Sequence, residues 1–537
     1  MKSACFHVDL FDDGVKQKKK PVVYFSEVVV SKFRKYNLQD YVNDIETDGL
    51  EIVWAYICAY VLQYGENADF LNVRNFGEMY EIGLAIQDKR KKKNNGQYYT
   101  PEDVASVMVE WLDSLEGENV CDVACGTGKL ILTYLDYIGI EKARNLILKK
   151  NLYLYDDDST ALDICKTSIL LKYGLELGEY INVVDGDFLS KNVVLPSNSK
   201  VISNPPYAAI QQKKSDWKDS DVLNDSRELY SVFMEKIVKE SKSSVIITPY
   251  SFISGTKFLS LRRVLNECSG KIFSFDNVPG NIFCGRKHGI FNTNTSNSVR
   301  AAITVVEKKD SAGFRLTPLI RFKSIERERL LKCAMLESFL SMKRQKISQE
   351  QPMYYKCFRE LQPLYEGLTK KSEGHKLKEL ISKDGEYTLS MPNTCRYYTT
   401  AFSGIMKRNG QLVLHFDDEK KFNYAYCLIN SSFVYWHWRL FDGGITYPAS
   451  LLMNVPILFN TLNEKDHSFF KNMYKEMSSN AHKFVVKKMN VGVQENIKYP
   501  REYRDAINRH LLNILGIKMS EHELDKIHSN MALEVNL

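Results

Sequence analysis

No stretch of this sequence is apolar for long enough to cross a bilayer, and its opening residues, MKSACFHVDLFDDG, lack the apolar core of a secretion signal. A membrane-spanning or exported protein is therefore not expected, and the chain reads as cytoplasmic. Its eleven cysteines form no CxxC pair and no Cys/His ligand grouping, which argues against both a zinc site and a disulfide framework. Internal repeats and low-complexity tracts are missing, so solenoid architectures drop out as well. The first 95 residues hold no D…(D/E)xK arrangement on an expected strand, which speaks against a fused nuclease.

What is present begins with an uneven charge. The net charge of +7 comes from the second half: residues 1–300 carry 37 Lys+Arg against 40 Asp+Glu, and residues 301–537 carry 36 against 26. A basic C-terminal part suits a polyanionic partner such as DNA, although solvated lysine faces are also common. At 537 residues the chain exceeds one ordinary core and suggests roughly two to four domains.

The hydrophobic pattern divides the chain into three. Residues 1–95 form a helical N-terminal region, with helical apolar spacing in LEIVWAYICAYVLQYG and FGEMYEIGLAI, closed by the charged loop DKRKKKNNG. Residues 96–307 alternate short β-rich runs with helical stretches. The runs are NVCDVA, NLYLYD, INVVDG, KVISN, SSVIITP, KIFSFDNV and SVRAAITVVE, several of them continuously apolar, as strands covered on both faces should be. This is the α/β, doubly wound, Rossmann-like pattern. Residues 308–537 have an irregular, aromatic-rich rhythm, expected to be α+β.

The first strand runs into CDVACGTGKLIL, a glycine turn opening a helix. It has Gly126 and Gly128 but no GxGxxG, and it carries an acid, Asp122, inside the strand. An acid there is unfavourable beside a pyrophosphate and useful beside an ammonium group. S-adenosylmethionine offers an ammonium, a sulfonium and a ribose diol and no phosphate, so it fits better than NAD. Asp156 ends the second strand, placed for ribose hydroxyls, and Asp157 and Asp158 follow. VVDGDFL ends the third strand with Asp187 and Phe188, an acceptor and a ring suited to an adenine. GQYYTPEDVASVMVEWL starts a helix with Thr100 as N-cap and Pro101 at its first position. Each piece also has a plain reading as a βα turn, a strand end or a capped helix.

The fourth strand ends in Asn204-Pro205-Pro206-Tyr207. An adenine amino group is a poor nucleophile because its lone pair is delocalised into the ring. Two acceptors on its hydrogens, the Asn204 side-chain oxygen and the Pro205 carbonyl, would favour a tetrahedral nitrogen able to attack a methylsulfonium in line. Consecutive prolines fix the backbone that presents that carbonyl, and Tyr207 can stack on the base. Positioning and oriented dipoles suffice, with no metal or covalent intermediate. Asn-Pro is also an ordinary turn signal.

The ordered set GQYYTP, DVACGTG, YDDD, GDF and SNPPY resembles the gamma class of DNA adenine-N6 methyltransferases, the family of the Taq adenine methyltransferase, over about residues 96–307. The resemblance implies a mostly parallel seven-stranded sheet with one antiparallel strand. It also implies that Thr100 and Asp122 lie at the methionine end of the cofactor, Asp156 at the ribose, and Asp187 and Phe188 at the adenine, with Tyr99, Ala124, Gly126, Gly128 and Asp157 also among the cofactor-binding residues. Asn204, Pro205 and Tyr207 would hold a flipped target base, with Pro206 in the same catalytic loop. A later loop of the family supplies a second aromatic; Phe283 in GNIF is the choice, and Phe291 in the Asn/Thr-rich insertion is its rival.

The stretch NSSFVYWHWRLFDGGITYPASLLMNVPI resembles target recognition domains carried in the same chain, and reads as an aromatic strand offering Tyr435, Trp438 and Arg439 to DNA. Alternating aromatics are also common in cores. The expectation is a bacterial, monomeric, site-specific DNA adenine-N6 methyltransferase acting on double-stranded DNA in the nucleoid, solitary or with a companion restriction endonuclease. Alternatives are a modification subunit that borrows a separate specificity subunit, and a protein-glutamine or RNA N-methyltransferase.

Overall fold

In a computed structural model the described residues are 5–7, 22–24, 100–210, 220–277, 279–283, 299–308, 312–395, 397–442, 444, 446–490 and 492–528. Most of the expected N-terminal helical region lies outside them. The part within is extended: β1 (Cys5–His7) pairs antiparallel with β2 (Val22–Tyr24). Residues 22–24 were expected to be helical, but two β-branched valines and a tyrosine suit an extended pair better.

The chain divides into two compact units. The first comprises Met1–Phe252, Thr256–Phe314 and Ser324–Met335, and the second Ile253–Gly255, Arg315–Lys323 and Leu336–Leu537. In the first unit all seven expected runs are strands: β3 (Asn119–Val123), β4 (Leu152–Asp156), β5 (Asn182–Asp185), β6 (Ser199–Ser203), β7 (Ser243–Pro249), β8 (Ser269–Phe275) and β9 (Ala301–Glu307). A further strand, β10 (Gly313–Ile320), continues the sheet past Glu307, where the change of rhythm had suggested its end. The sheet order is β10-β8-β9-β7-β6-β3-β4-β5.

Strands β5, β4, β3, β6 and β7 are parallel, and β9 runs antiparallel between β7 and β8. Central β6 is buried along its whole length, whereas edge strand β5 alternates between half-buried and exposed, as its one free side allows. The helix Glu102–Ser114 buries Val104, Val107, Met108 and Trp111, with Trp111 stacked 4.2 Å from Phe273 of β8. Chain order reverses between β3 and β6: from β3 the chain builds outward to β4 and β5, then returns to β6 on the other side. The carboxyl ends of β3 and β6 therefore open a crevice, the usual ligand position in such sheets.

The second unit is α+β. Its three-stranded antiparallel sheet is ordered β12 (Phe402–Ser403), β11 (Tyr387–Pro392), β13 (Gln411–Phe416), and a hairpin joins β14 (Val485–Asn490) to β15 (Gly492–Ile497). Two helices, Arg501–Leu515 and Glu521–His528, follow the hairpin.

The stretch read as an aromatic strand is instead the helix Ser432–Phe441, started by Ser431, whose side chain accepts the Phe433 N–H. The alternating aromatics suggested a strand, but a run this short, buried nearly all round, can equally be a helix. Every residue of that helix except Arg439 is buried. Tyr435 stacks on His528 at 5.2 Å and Trp438 on Tyr447 at 5.7 Å, and neither ring has solvent exposure. Both therefore leave the set of expected DNA contacts and belong to the core of this unit. Burial also drives His437 down to about 3, so its imidazole stays neutral.

Replacing Trp438 by Ala should accordingly cost about 3 to 5 kcal/mol of stability, the range for deleting a buried Trp. Denaturant unfolding checks this; an unchanged midpoint would mean that the ring is not core.

Candidate active site

The glycine turn starts where β3 leaves the sheet. Ala124 takes a left-handed backbone with φ 58°, a strained conformation for a residue with a Cβ. The Cys125 N–H donates to the Tyr155 carbonyl at 3.0 Å, and the Gly126 N–H donates to Asp156 Oδ2 at 2.7 Å. The two glycines then do different things. A Cβ on Gly126 would meet nothing within 4 Å, so that position faces open space, whereas one on Gly128 would lie 2.4 Å from Cys165 Sγ. Gly128 is thus required by close packing of the turn on the helix Ser159–Tyr173, and Gly126 by the turn itself.

Asp156 is the hub of this turn. Its Oδ2 holds Gly126, its Oδ1 accepts the Asp158 N–H at 3.0 Å, and its backbone carbonyl accepts the Gly186 N–H at 2.9 Å. Burial pushes its carboxyl up to about 6, against the two amide hydrogen bonds that lower it, and the charges of Asp157 and Asp158 add to the rise. Asp158 caps the helix that follows through the Ala161 N–H at 3.1 Å, and Asp157 is exposed.

Asp122, expected at the methionine end of a cofactor, is turned into the protein. It has no solvent exposure, and its Oδ2 accepts the Ile131 N–H at 3.1 Å in the first turn of the helix Lys129–Ile138. Burial raises it well above the ordinary carboxylate range despite that bond, and nearby Asp156 raises it further. Through this bond Asp122 ties the end of β3 to the start of that helix.

The loop after β5 is held from below. Asp187 is half-buried and its Oδ1 accepts the Leu189 N–H at 3.1 Å. Phe188 is enclosed, edge-on to Tyr155 at 5.7 Å and 5.3 Å from Phe233, so its ring is not the open platform expected of it. Lys236, which no motif signalled, donates to the carbonyls of Phe188 at 2.8 Å, Ser190 at 3.0 Å and Val193. In the sequence it is only a cation on an amphipathic helix.

Across the crevice, β6 delivers Asn204. Ser203, its neighbour, lies level with Val123 in the ladder and donates its hydroxyl to the Val123 carbonyl at 2.6 Å, which locks the two loop origins together. The Asn204 Nδ2 donates to Thr100 Oγ1 at 2.9 Å. Thr100 was expected to cap its helix, but the cap position is Pro101 and no side chain caps it, so the buried hydroxyl serves Asn204 instead. Pro205 is buried and Pro206 half-buried beside it. Tyr207 donates to the Ile247 carbonyl at 3.1 Å, and its ring lies 5.9 Å from Phe283 and 6.2 Å from Tyr230. The structure brings Thr100, Asn204, Tyr207 and Phe283 together, with the Phe283 ring fully buried beside Tyr207. Tyr99 and Phe291 lie outside the described residues.

Residues 72–304 match the family model described as N-6 DNA Methylase. Two relatives are the Type I restriction enzyme MpnII methylase subunit of Mycoplasma pneumoniae and the EcoEI methylase subunit of Escherichia coli. They are 24% and 22% identical over 39% of this chain, and the match spans 41% and 43% of their own lengths. A solved nuclease-deletion mutant of the Type ISP restriction-modification enzyme LlaGI, in complex with a DNA substrate mimic, aligns over 84% of this chain and 62% of that one, with 12% identity and a TM-score of 0.43.

The two glycines give a paired test. Gly128→Ala combines a left-handed backbone with a collision and should lose about 2 to 4 kcal/mol. Gly126→Ala faces open space and should lose only about 1 to 2 kcal/mol. Thermal unfolding of both variants measures the difference, and equal losses would contradict the packing role of Gly128.

Proposed function

We propose that the chain is a site-specific DNA adenine-N6 methyltransferase using S-adenosylmethionine. The observation that carries this reading is the Asn204 carboxamide, fixed by Thr100 at the end of β6 and facing the glycine turn across the switch point.

The residues present fit the cofactor. Gly126 opens onto free space, and an Asp156 carboxyl titrating near 6 is mostly ionised at neutral pH, able to accept ribose hydroxyls beside its two backbone bonds. Half-buried Asp187 can accept from an adenine amine; Ala124, Asp157 and the backbone beside Phe188 complete the lining. When bound, S-adenosylmethionine supplies an electrophilic methyl group on sulfur. Asn204 Oδ1 and the Pro205 carbonyl accept the hydrogens of the target amine and draw its lone pair out of the ring, while Tyr207 and Phe283 frame the base. Bound there, the cofactor would supply the methyl group and keep the electron pair on its sulfur, while the acceptors on Asn204 and Pro205 would hold the amine hydrogens until one proton leaves to water. Orientation and dipoles that match the charge developing on nitrogen account for the acceleration.

Site selection is assigned to residues of the second unit, in keeping with the basic C-terminal half. There Arg439, half-buried on an otherwise buried helix, lines a cleft with Arg321, Lys356 and Lys526. This arrangement keeps Arg439 as the DNA-contact candidate after Tyr435 and Trp438 are removed. A second reading draws on the names of the two relatives, both methylase subunits: the chain would then work with a separate specificity subunit, and a companion nuclease would belong to the same system. Methyl transfer by the purified chain alone, with modified bases located by sequencing, separates the two.

Asn204→Ala should lower turnover at least ~100-fold, as loss of one oriented transition-state dipole does, while cofactor affinity stays within about twofold. Near-normal turnover in a folded variant would remove Asn204 from the chemistry. The pH dependence follows from Asp156. Hydroxyl donors favour the ionised carboxylate and lower its pKa in the complex, so affinity is greatest above the free value near 6 and declines as pH falls through it. Calorimetry with S-adenosylhomocysteine should show binding weakening by up to about tenfold from pH 7 to pH 5. Asp156→Asn should flatten that slope; a slope unchanged in the variant would exclude Asp156.

A further inference from the structure

Arg327 lies outside every motif singled out in the sequence, yet its guanidinium binds two separate supports of the acceptor pocket. Its Nε and Nη2 both reach the carboxylate of Asp103, the latter at 2.9 Å. Its Nη1 donates to the Asn281 carbonyl at 2.8 Å, and Nη2 donates again to the Ile282 carbonyl at 2.7 Å. The arginine side chain is 11% exposed and the Asp103 side chain 38%, so water reaches the carboxylate while the two carbonyl bonds, to buried Asn281 and Ile282, are shielded.

The two segments joined in this way are the ones that orient the reacting base. Asp103 sits in the first turn of the helix Glu102–Ser114, and Thr100, just before that helix, holds the Asn204 carboxamide. That helix start has no side-chain cap of its own, which leaves the Arg327 fork as a tie on its first turn. Asn281 and Ile282 lead directly into Phe283, whose N–H donates to Asn281 Oδ1 at 2.8 Å and whose ring meets Tyr207. One cation thus sets the spacing between the carboxamide and the second aromatic wall.

We propose that Arg327 is a positioning residue for methyl transfer: it clamps the Phe283 loop to the helix that carries Thr100 and so fixes the width of the slot for the target base. The proposal rests on the methyltransferase reading. It touches no reacting atom, and the cofactor loops contain none of its partners. Lysine cannot replace it, because a point charge cannot fork onto a carboxylate and two carbonyls at once.

The test compares Arg327→Gln, Arg327→Lys and Asp103→Asn with the wild-type chain, using duplex DNA and the same duplex carrying 2-aminopurine at the target adenine. Turnover should fall at least tenfold in each variant, S-adenosylhomocysteine affinity should stay within twofold, and the 2-aminopurine fluorescence of the bound complex should change. The double variant Arg327→Gln with Asp103→Asn should be no slower than the slower single variant, since the two residues act as one unit. Amide exchange at residues 281–283 should accelerate at least tenfold in Arg327→Gln while β3 and β6 keep their protection. Wild-type turnover in a folded Arg327→Gln, or turnover and cofactor affinity falling together, would overturn the proposal, as would unchanged exchange at 281–283. A wild-type chain inert on every duplex, with exchange still accelerated in the variant, would support the clamp and sink the methyltransferase reading.

Discussion

The reversal of strand order between β3 and β6 is the constraint on which the rest depends. A sheet that grew in one direction only would carry each loop over its neighbour's helix. Here two adjacent parallel strands send their chains to opposite sides, and the ladder sets Val123 and Ser203 level, with a hydroxyl-to-carbonyl bond of 2.6 Å between them. A glycine turn and a proline-fixed turn then face one another without further machinery. Everything chemical in the site is a refinement of that opening: Asp156 shapes one rim through backbone amides, and Thr100 aims the carboxamide of the other.

The supports are of two physical kinds. Around the glycine turn the work falls to buried carboxyls bonded to amides, Asp156 and Asp122, both raised by burial above the ordinary carboxylate range. Cations bonded to carbonyls hold the neighbouring loops, Lys236 the one after β5 and Arg327 the Phe283 loop. Both exploit the fact that a charged partner strengthens a hydrogen bond, and strengthens it most where water is excluded. Neither kind requires regular structure, which explains how irregular loops keep a definite shape at the sheet's edge.

How much of this was legible beforehand depends on whether a residue's partner is local. The strands were legible because a run buried on both faces is written in consecutive letters, and the NPPY turn because proline and asparagine state their backbone geometry outright. The pairing of Thr100 with Asn204, 104 positions apart, was legible only in outline: both residues were singled out, but Thr100 was given to its own helix. Arg327 and Lys236 were not legible, because a cation bonded to backbone carbonyls has no partner identity to read. The helix Ser432–Phe441 failed for another reason, since alternating aromatics in a run this short fit strand and helix alike; with it went Tyr435 and Trp438 as surface residues.

The antiparallel β9 has a consequence for how the molecule is made. Its place is between β7 and β8, yet it follows both in the chain, and the other neighbour of β8, β10, comes later still. During synthesis, then, β8 leaves the ribosome with neither edge partner in existence, while β3 to β7 can already zip together. At usual elongation rates the wait for β9 lasts on the order of 2 to 6 seconds. Through that interval a strand containing Ile272, Phe273 and Phe275 has two bare edges. The nascent sheet is open at β7 for the same time, so crowded polysomes are where this chain is most exposed to pairing with a copy of itself.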